Sequence, residues 1–294
     1  MGKIFVTGAT GNIGRHVVEQ LVNKGEDTVA GSWHASKRTR ISDHHEEVPF
    51  DFLNENTFDE ALIGVDRIFL VRPPQLAKPK RDMVPFLNKV SAMNIKNLVF
   101  ISLLGVEKNP IAPHKKIEKM IEEFDIPHTF LRPSFFMQNL STTHRDDIAL
   151  RDEIAVPVGK ATTSFIDTRD IGEAAAICLQ DADEHVNNIY TLTGEDAITY
   201  ETVASTLSRV LGRQITYRDL GFLAFRKEQI ALGVKKEFAN VMTMLYAITK
   251  MGNAKKVTND LEVLLKRKPT SFRQFVIDHQ SKWSPLVELE KKAK

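Results

Sequence analysis

The chain has 294 residues, 42% hydrophobic and 27% charged, which is enough apolar material for a large core and too little bias for disorder or a fibrous architecture. Forty basic side chains face thirty-eight acidic ones for a formal net charge of +2, so no global field draws the whole chain onto nucleic acid or anionic lipid. The single cysteine, Cys178, excludes an intrachain disulfide and points to a reducing, cytoplasmic setting. Its apolar surroundings from Ala174 to Leu179 predict burial rather than reactivity. The N-terminus opens directly on a strand pattern, and no run of about 18 apolar residues predicts a membrane span.

Apolar runs of strand length alternate with helical patterns through the first two-thirds of the chain, the order that makes a parallel sheet with helices on both faces. Strands are predicted at Lys3 to Thr7, Thr28 to Gly31, Glu47 to Phe50, Arg67 to Val71, Leu98 to Ser102, His128 to Leu131 and Ile189 to Leu192. Helices are predicted near Asn12 to Asn23, Phe58 to Ile63, Arg81 to Met93, Lys115 to Phe124 and Asp170 to Leu179. After Gly194 the pattern turns mainly helical, over Val203 to Leu211, Phe225 to Leu232 and Phe238 to Met251, with one short strand at Gln214 to Tyr217. The fold class is therefore α/β, a doubly wound parallel sheet with a smaller, mainly helical C-terminal lobe. Residues 1–132 and 155–194 are expected in the dinucleotide-binding domain, and residues 133–154 and 195–294 in the smaller substrate or partner lobe. His44-His45-Glu46-Glu47 lacks metal-ligand spacing and is expected to be loop, and no other metal spacing appears. Lys266-Arg267-Lys268-Pro269 and the basic tail at Lys291, Lys292 and Lys294 are expected to be solvated.

The sharpest motif is Val6-Thr7-Gly8-Ala9-Thr10-Gly11-Asn12-Ile13-Gly14, a strand entering three spaced glycines and then a helix. Gly8 can take a tight turn, Gly11 lets a pyrophosphate approach the backbone, and Gly14 lets the helix pack on the strand. The helix N-terminus adds unpaired N–H groups and a favourable dipole, so Gly8, Thr10, Gly11, Asn12, Ile13 and Gly14 are the expected phosphate cradle of a Rossmann domain. An acidic residue at the end of the second strand would mark NAD; here Ser32-Trp33 is followed by Lys37, Arg38 and Arg40. Positive charge suits a 2′-phosphate, so NADP(H) is favoured and NAD(H) is the alternative. Arg72 and Pro73, after the fourth strand, fall at the same carboxyl edge of the sheet.

With these residues, Ser102-Leu103-Leu104-Gly105, His114-Lys115-Lys116-Ile117-Glu118, Leu131-Arg132-Pro133-Ser134-Phe135-Phe136-Met137-Gln138-Asn139-Leu140, Phe165-Ile166-Asp167-Thr168-Arg169-Asp170-Ile171-Gly172 and Tyr190-Thr191-Leu192-Thr193-Gly194, the chain resembles the NmrA-like atypical short-chain dehydrogenases over nearly its whole length. That family holds NADPH-dependent reductases of quinones, azo dyes, triphenylmethane dyes and plant phenolics, and also regulators that sense NAD(P) without turning it over. The resemblance implies that Asp51 and Phe52 contact adenine, the alternative being a turn acid and a core aromatic. It also implies that Phe135, Phe136 and Met137 border a flat apolar substrate, the alternative being helical core packing. Where many relatives carry an arginine for the 2′-phosphate, this chain has Trp33.

The helix that follows Ser102 carries no Tyr-x-x-x-Lys pair of the kind ordinary short-chain dehydrogenases use there. In its place stand His114 and Glu118, four apart on one helical face, with Ser102 at the end of the preceding strand. A histidine can donate a proton near neutral pH and a carboxylate one turn away can orient it or raise its pKa; a local helix-start contact without catalysis is the alternative. Ser102 is a candidate to hydrogen-bond a substrate oxygen or the nicotinamide carboxamide, the alternative being a structural serine that ends a strand. Two functions follow: an NADP(H)-dependent oxidoreductase acting on a quinone, azo or related conjugated compound, or a non-catalytic NAD(P)-sensing regulator that binds a protein partner through the lobe containing Val241 to Ile248. A homodimer is left open.

Overall fold

The computed structural model describes residues 2–76 and 78–284, so the basic tail discussed above lies outside the described residues. The chain divides into two compact units, one of Met1–Pro133, Thr168–Leu192 and Asp260–Arg267, the other of Ser134–Asp167, Thr193–Asn259 and Lys268–Lys294. The first unit opens with β1 (Lys3–Val6), α1 (Gly14–Asn23), β2 (Thr28–Ser32), β3 (Thr39–Ser42), β4 (His45–Pro49) and α2 (Phe58–Ala61). It continues with β5 (Val65–Leu70), α3 (Pro79–Ser91), β6 (Asn97–Ile101), α4 (Pro113–Glu123) and β7 (His128–Pro133). The second unit then takes α5 (Gln138–Ser141), α6 (Arg145–Arg151), β8 (Glu153–Ala155) and β9 (Thr162–Thr163). The chain returns to the first unit for α7 (Thr168–Gln180), α8 (Ala182–His185) and β10 (Asn188–Leu192). The second unit resumes with β11 (Ile198–Thr199), α9 (Tyr200–Leu211), β12 (Thr216–Arg218), α10 (Phe222–Ala231) and α11 (Lys236–Lys250). Finally α12 (Asp260–Leu265) belongs to the first unit and α13 (Phe272–His279) to the second.

The first unit is built on an eight-stranded sheet in the order β10-β7-β6-β5-β1-β2-β4-β3, parallel except for β3, which runs antiparallel to β4. Strand order reverses at β1, which pairs with β2 on one side and β5 on the other. Each predicted strand of this sheet is present. Within the expected loop at His44 to Glu47, His44 lies in a turn but His45 to Glu47 begin β4, and β3 was not anticipated. These two strands are polar because they close one edge of the sheet, where Glu46 is held by Lys3 at 2.9 Å and by Arg38 Nε at 2.8 Å rather than by apolar packing.

On one face of the sheet, Phe5, Phe50, Phe52, Phe58 and Phe86 form a buried aromatic cluster, joined by Ile117 and Met120 of α4. On the other face α1 packs on α7, and Cys178 is fully buried there as expected. That helix pair is close because Gly172 has no side chain: a Cβ there would lie 2.5 Å from the Cβ of His16.

Residues 155–167, expected with the dinucleotide-binding domain, fall instead in the second unit. Ile166 explains this, donating its N–H to Phe135 O at 2.9 Å and accepting the Met137 N–H at 2.9 Å. Conversely α12 returns to the first unit, where Asp260 accepts the Thr191 N–H at 2.7 Å. Arg267, expected to be solvated, pairs with Asp170 at 2.8 Å and with Glu173 at 2.5 Å.

The second unit has its own core around Met137, Tyr200, Phe225, Phe275 and Trp283. Within it His144 is 1% exposed, with Nε2 2.5 Å from the Tyr246 hydroxyl and Nδ1 3.4 Å from Asp147. Burial pushes the His144 pKa down to about 4. The folded state therefore binds fewer protons than the unfolded chain between pH 6.5 and about 4, and this group's stabilising contribution, complete above pH 6.5, is lost as the pH falls through that window. The loss is about 3 kcal/mol over the full window. Urea unfolding at several pH values from 7 to 4.5 should accordingly show a shallower decline for His144→Gln than for the native chain; equal slopes would contradict this assignment.

Candidate dinucleotide site

The site begins where β1 ends. Thr7, fully buried, receives the Val71 N–H on its hydroxyl at 2.9 Å and donates to Phe69 O at 3.2 Å, which clamps β1 to β5 at the point of strand reversal. Gly8 then turns with φ +59, a conformation that favours glycine, and its carbonyl accepts the Gly11 N–H at 2.9 Å. Gly14 comes down onto that same carbonyl so closely that a Cβ would lie 2.2 Å from Gly8 O. Gly8 and Gly14 thus have the roles their positions suggested. Gly8, Thr10, Gly11 and Asn12 are exposed, whereas Ile13 and Gly14 are buried beneath them. Ile13, the N-cap of α1, offers no capping side chain, and no hydrogen bond among the described residues engages the amides of Asn12, Ile13 or Gly14. Those N–H groups and the helix dipole are what an anion would meet.

Around this turn the carboxyl ends of the parallel strands bring together Ser32, Trp33, Arg72 and Ser102. Trp33 is 75% exposed, so it does not pack on the core. Its ring is free to cover a planar ligand group. The cations after β2 separate into two kinds. Arg38 is spent on Glu46 and on Glu60 O at 2.6 Å, and Arg40 on Ser42 O, Asp43 O and the Asp43 carboxylate. Lys37 is exposed and has no side-chain partner among the described residues. Thr39 of β3 pairs with Glu47 and Ser32 of β2 with Pro49, so β4 lies between β2 and β3, and Lys37 falls in the bend that joins them after the carboxyl end of β2. Arg38, expected as a cofactor ligand from sequence, is therefore corrected to a structural arginine of the sheet edge.

Asp51 accepts the Leu53 N–H at 2.9 Å and so holds its own turn, while the Phe52 ring is core, 4.8 Å from Phe50 and 5.3 Å from Phe86 between centroids. What this turn can present to a ligand is Asp51 and backbone. Arg72 bends back onto its own loop, its Nη1 donating to the carbonyls of Pro73 at 3.0 Å, Pro74 at 3.2 Å and Leu76 at 2.9 Å. Nothing in these contacts distinguishes Pro73 beyond its place in that loop.

His114 stands at the head of α4 with its ring stacked on Phe100, 6.2 Å between centroids, and makes no side-chain hydrogen bond among the described residues. Burial, and next the charge of Arg72, press its pKa down to about 4 against a weaker upward pull from Glu118. Glu118 does not orient it. That carboxylate, fully buried, is gripped by Arg132 Nε at 2.9 Å and Nη2 at 2.8 Å and by Lys115 at 3.2 Å. Although burial opposes ionisation, these cations and the Ser102 hydroxyl nearby hold the Glu118 pKa below the ordinary carboxylate value. Burial and Arg72 therefore disfavour the protonated form in which His114 would act as the expected acid. The signal missed in the sequence was Arg132, fourteen residues from Glu118 and one strand away.

In the second unit Phe135 and Phe136 are half-buried, but Met137 is 2% exposed and belongs to the core, so its sulfur does not line a substrate surface. No group of three or more His, Cys, Asp or Glu among the described residues is arranged to hold a metal ion.

A doubly wound sheet with a bare, glycine-lined turn at its switch point defines a Rossmann-type protein. The chain belongs to the NmrA-like family, which it matches over residues 1–276. It is 30% identical over 276 residues to prestalk A differentiation protein A of Dictyostelium discoideum, covering 92% of this chain and 90% of that one. It is 27% identical to the NAD(P)H azoreductase of Xenophilus azovorans, covering 94% of this chain and 97% of that one. Its fold matches the NADPH-dependent quinone oxidoreductase of Escherichia coli, solved with NADPH, at a TM-score of 0.83 and 21% identity, covering 95% of this chain and 99% of that one.

Two outcomes follow. Gly14→Ala should destabilise the protein by about 2 kcal/mol or more through overpacking, and Gly11→Ala, whose Cβ would meet Gly8 O only at 3.1 Å, by clearly less; thermal unfolding ranks the two. Nuclear magnetic resonance titration of His114 should give a midpoint near 4, and a midpoint at or above 6.5 would show that the protonated form is not disfavoured.

Proposed function

We propose that the protein is an NADP(H)-dependent oxidoreductase that reduces a quinone, an azo compound or a related conjugated small molecule, with NAD(H) as the alternative cofactor. The observation that carries this is the exposed turn from Gly8 to Asn12, set on three unengaged amides at the N-terminus of α1. The names of the azoreductase and the quinone oxidoreductase above support the reaction class. Bound here, the reduced cofactor would supply hydride.

The residues present fit such a group. The amides of Asn12, Ile13 and Gly14 would take its diphosphate, with the Thr10 hydroxyl at the tip of the turn. Trp33 would cover the adenine, Asp51 would meet its edge, and Lys37, the one cation after β2 without a side-chain partner among the described residues, would pair with the 2′-phosphate. Arg72 and Pro73 would border the cofactor at the end of β5. A neutral His114 can hold a substrate oxygen through its ring N–H without delivering a full proton, and Ser102 can do the same through its hydroxyl. That is adequate for acceptors whose conjugation already activates them, the proton then coming from water. The half-buried rings of Phe135 and Phe136 suit a flat apolar substrate.

The sensing regulator remains the second reading, favoured by the lack of a Tyr-x-x-x-Lys pair on the helix after Ser102 and by Val241, Met244 and Leu245, which are exposed on α11. Fluorescence titration with NADPH followed by its oxidation, measured by absorbance against menadione and an azo dye, separates the two. Turnover is expected; tight binding with no turnover of any acceptor would leave the sensor. Lys37→Ala should weaken NADPH about tenfold and leave NADH unchanged, as expected for loss of one charge-assisted contact. An equal loss for both cofactors would remove Lys37 from the 2′-phosphate.

A further inference from the structure

Whole-chain charge is close to balance, yet the α10–α11 hairpin of the second unit is not balanced locally. Along α10, Leu223, Lys227 and Ile230 recur at helical spacing and are all exposed, Leu223 by 76%. Along α11, Phe238, Val241 and Leu245 form a second exposed row at the same spacing, Phe238 by 51%. The turn between the helices carries Leu232, 49% exposed, then Gly233 in the left-handed region at φ +89, then Lys235 and Lys236. Lys227, Lys235 and Lys236 are exposed and have no acidic partner among the described residues. The acids nearby do not offset them: Glu228 is taken by Arg218 at 2.6 Å, which leaves Glu237.

We propose that this hairpin docks on an anionic phospholipid surface, with Leu223, Leu232 and Phe238 entering the headgroup boundary and Lys227, Lys235 and Lys236 facing the lipid phosphates. The charge decides between occupants. Lysine is depleted at protein–protein contacts, and a second copy would bring the same lysines toward one another. A bilayer instead welcomes long basic side chains beside an apolar row, because the stems lie along the hydrocarbon boundary while the ammonium groups reach the phosphates. Neither feature suffices alone; stable attachment of a soluble protein takes an apolar and an electrostatic contribution together, and the hairpin has both. This is attachment and not crossing, since no helix among the described residues is long and apolar enough to span a membrane. The inference stands independently of the proposed reaction.

Co-sedimentation of the full chain with vesicles of phosphatidylcholine, with and without phosphatidylserine, tests it. Binding is expected only to the anionic vesicles and should weaken as sodium chloride rises. Each lysine reversed in Lys227→Glu, Lys235→Glu and Lys236→Glu should lower the partition coefficient by at least about fivefold. Leu232→Ser with Phe238→Ser should lower binding even at low salt, while circular dichroism and thermal unfolding stay as in the native chain. Equal binding to neutral vesicles, no vesicle binding at all, or a solution dimer dispersed by these same substitutions would overturn it.

Discussion

The close approach of Gly14 to the Gly8 carbonyl is the constraint on which the cofactor half of this protein rests. A side chain at position 14 would collide with that oxygen at 2.2 Å, so the start of α1 can reach the end of β1 only because the residue is glycine. The consequence is electrostatic as much as steric. Pulling the helix onto the strand end aims its unengaged amides at the switch point of the sheet, and Thr7 fixes that point by joining β1 to β5. An uncapped helix start exposed in this way is costly unless water or a ligand satisfies it, which is why the same feature is a binding site.

A second constraint governs what chemistry the site can support. Glu118, the buried carboxylate, lies one helical turn from the half-buried His114, but each is committed differently: Glu118 is closed in by Arg132 and Lys115, while His114 is left among rings and a neighbouring guanidinium. Cations therefore keep the carboxylate charged, while burial, and next the charge of Arg72, holds the imidazole below its ordinary pKa. A site of this character holds and orients. It suits acceptors that need little acid assistance, and it explains how a chain whose α4 lacks a Tyr-x-x-x-Lys pair can still be consistent with reductase chemistry.

The two units differ in what their burial accomplishes. In the first, phenylalanine packing covers one face of the sheet, and on the other Gly172 lets α7 come close to α1. In the second, polar groups are carried into the core with partners, as in the His144 and Tyr246 contact and the Trp283 Nε1 donation to Leu140 O at 2.9 Å. Its α10–α11 hairpin, by contrast, leaves apolar side chains outside, where packing within the unit does not use them.

The parallel strands, the glycine turn and the buried Cys178 were legible in the sequence because each depends on local pattern: apolar runs of strand length, small residues at fixed spacing, an apolar neighbourhood. Edge strand β3 was not, since its residues are all exposed and carry no alternation to read. Nor were the partners of individual charges. Arg38 and Lys37 are adjacent in the chain and equally basic, and only the pairing of β3 with β4 assigns one to Glu46 and leaves the other exposed without a side-chain partner. His114 and Glu118 look like a couple at helical spacing until Arg132 arrives from the next strand. Local sequence thus determined the elements and the cradle, because hydrogen-bonding period and backbone freedom are properties of neighbours along the chain. Tertiary structure decided the charge state and the availability of each side chain, because fields and burial are set by residues distant in sequence.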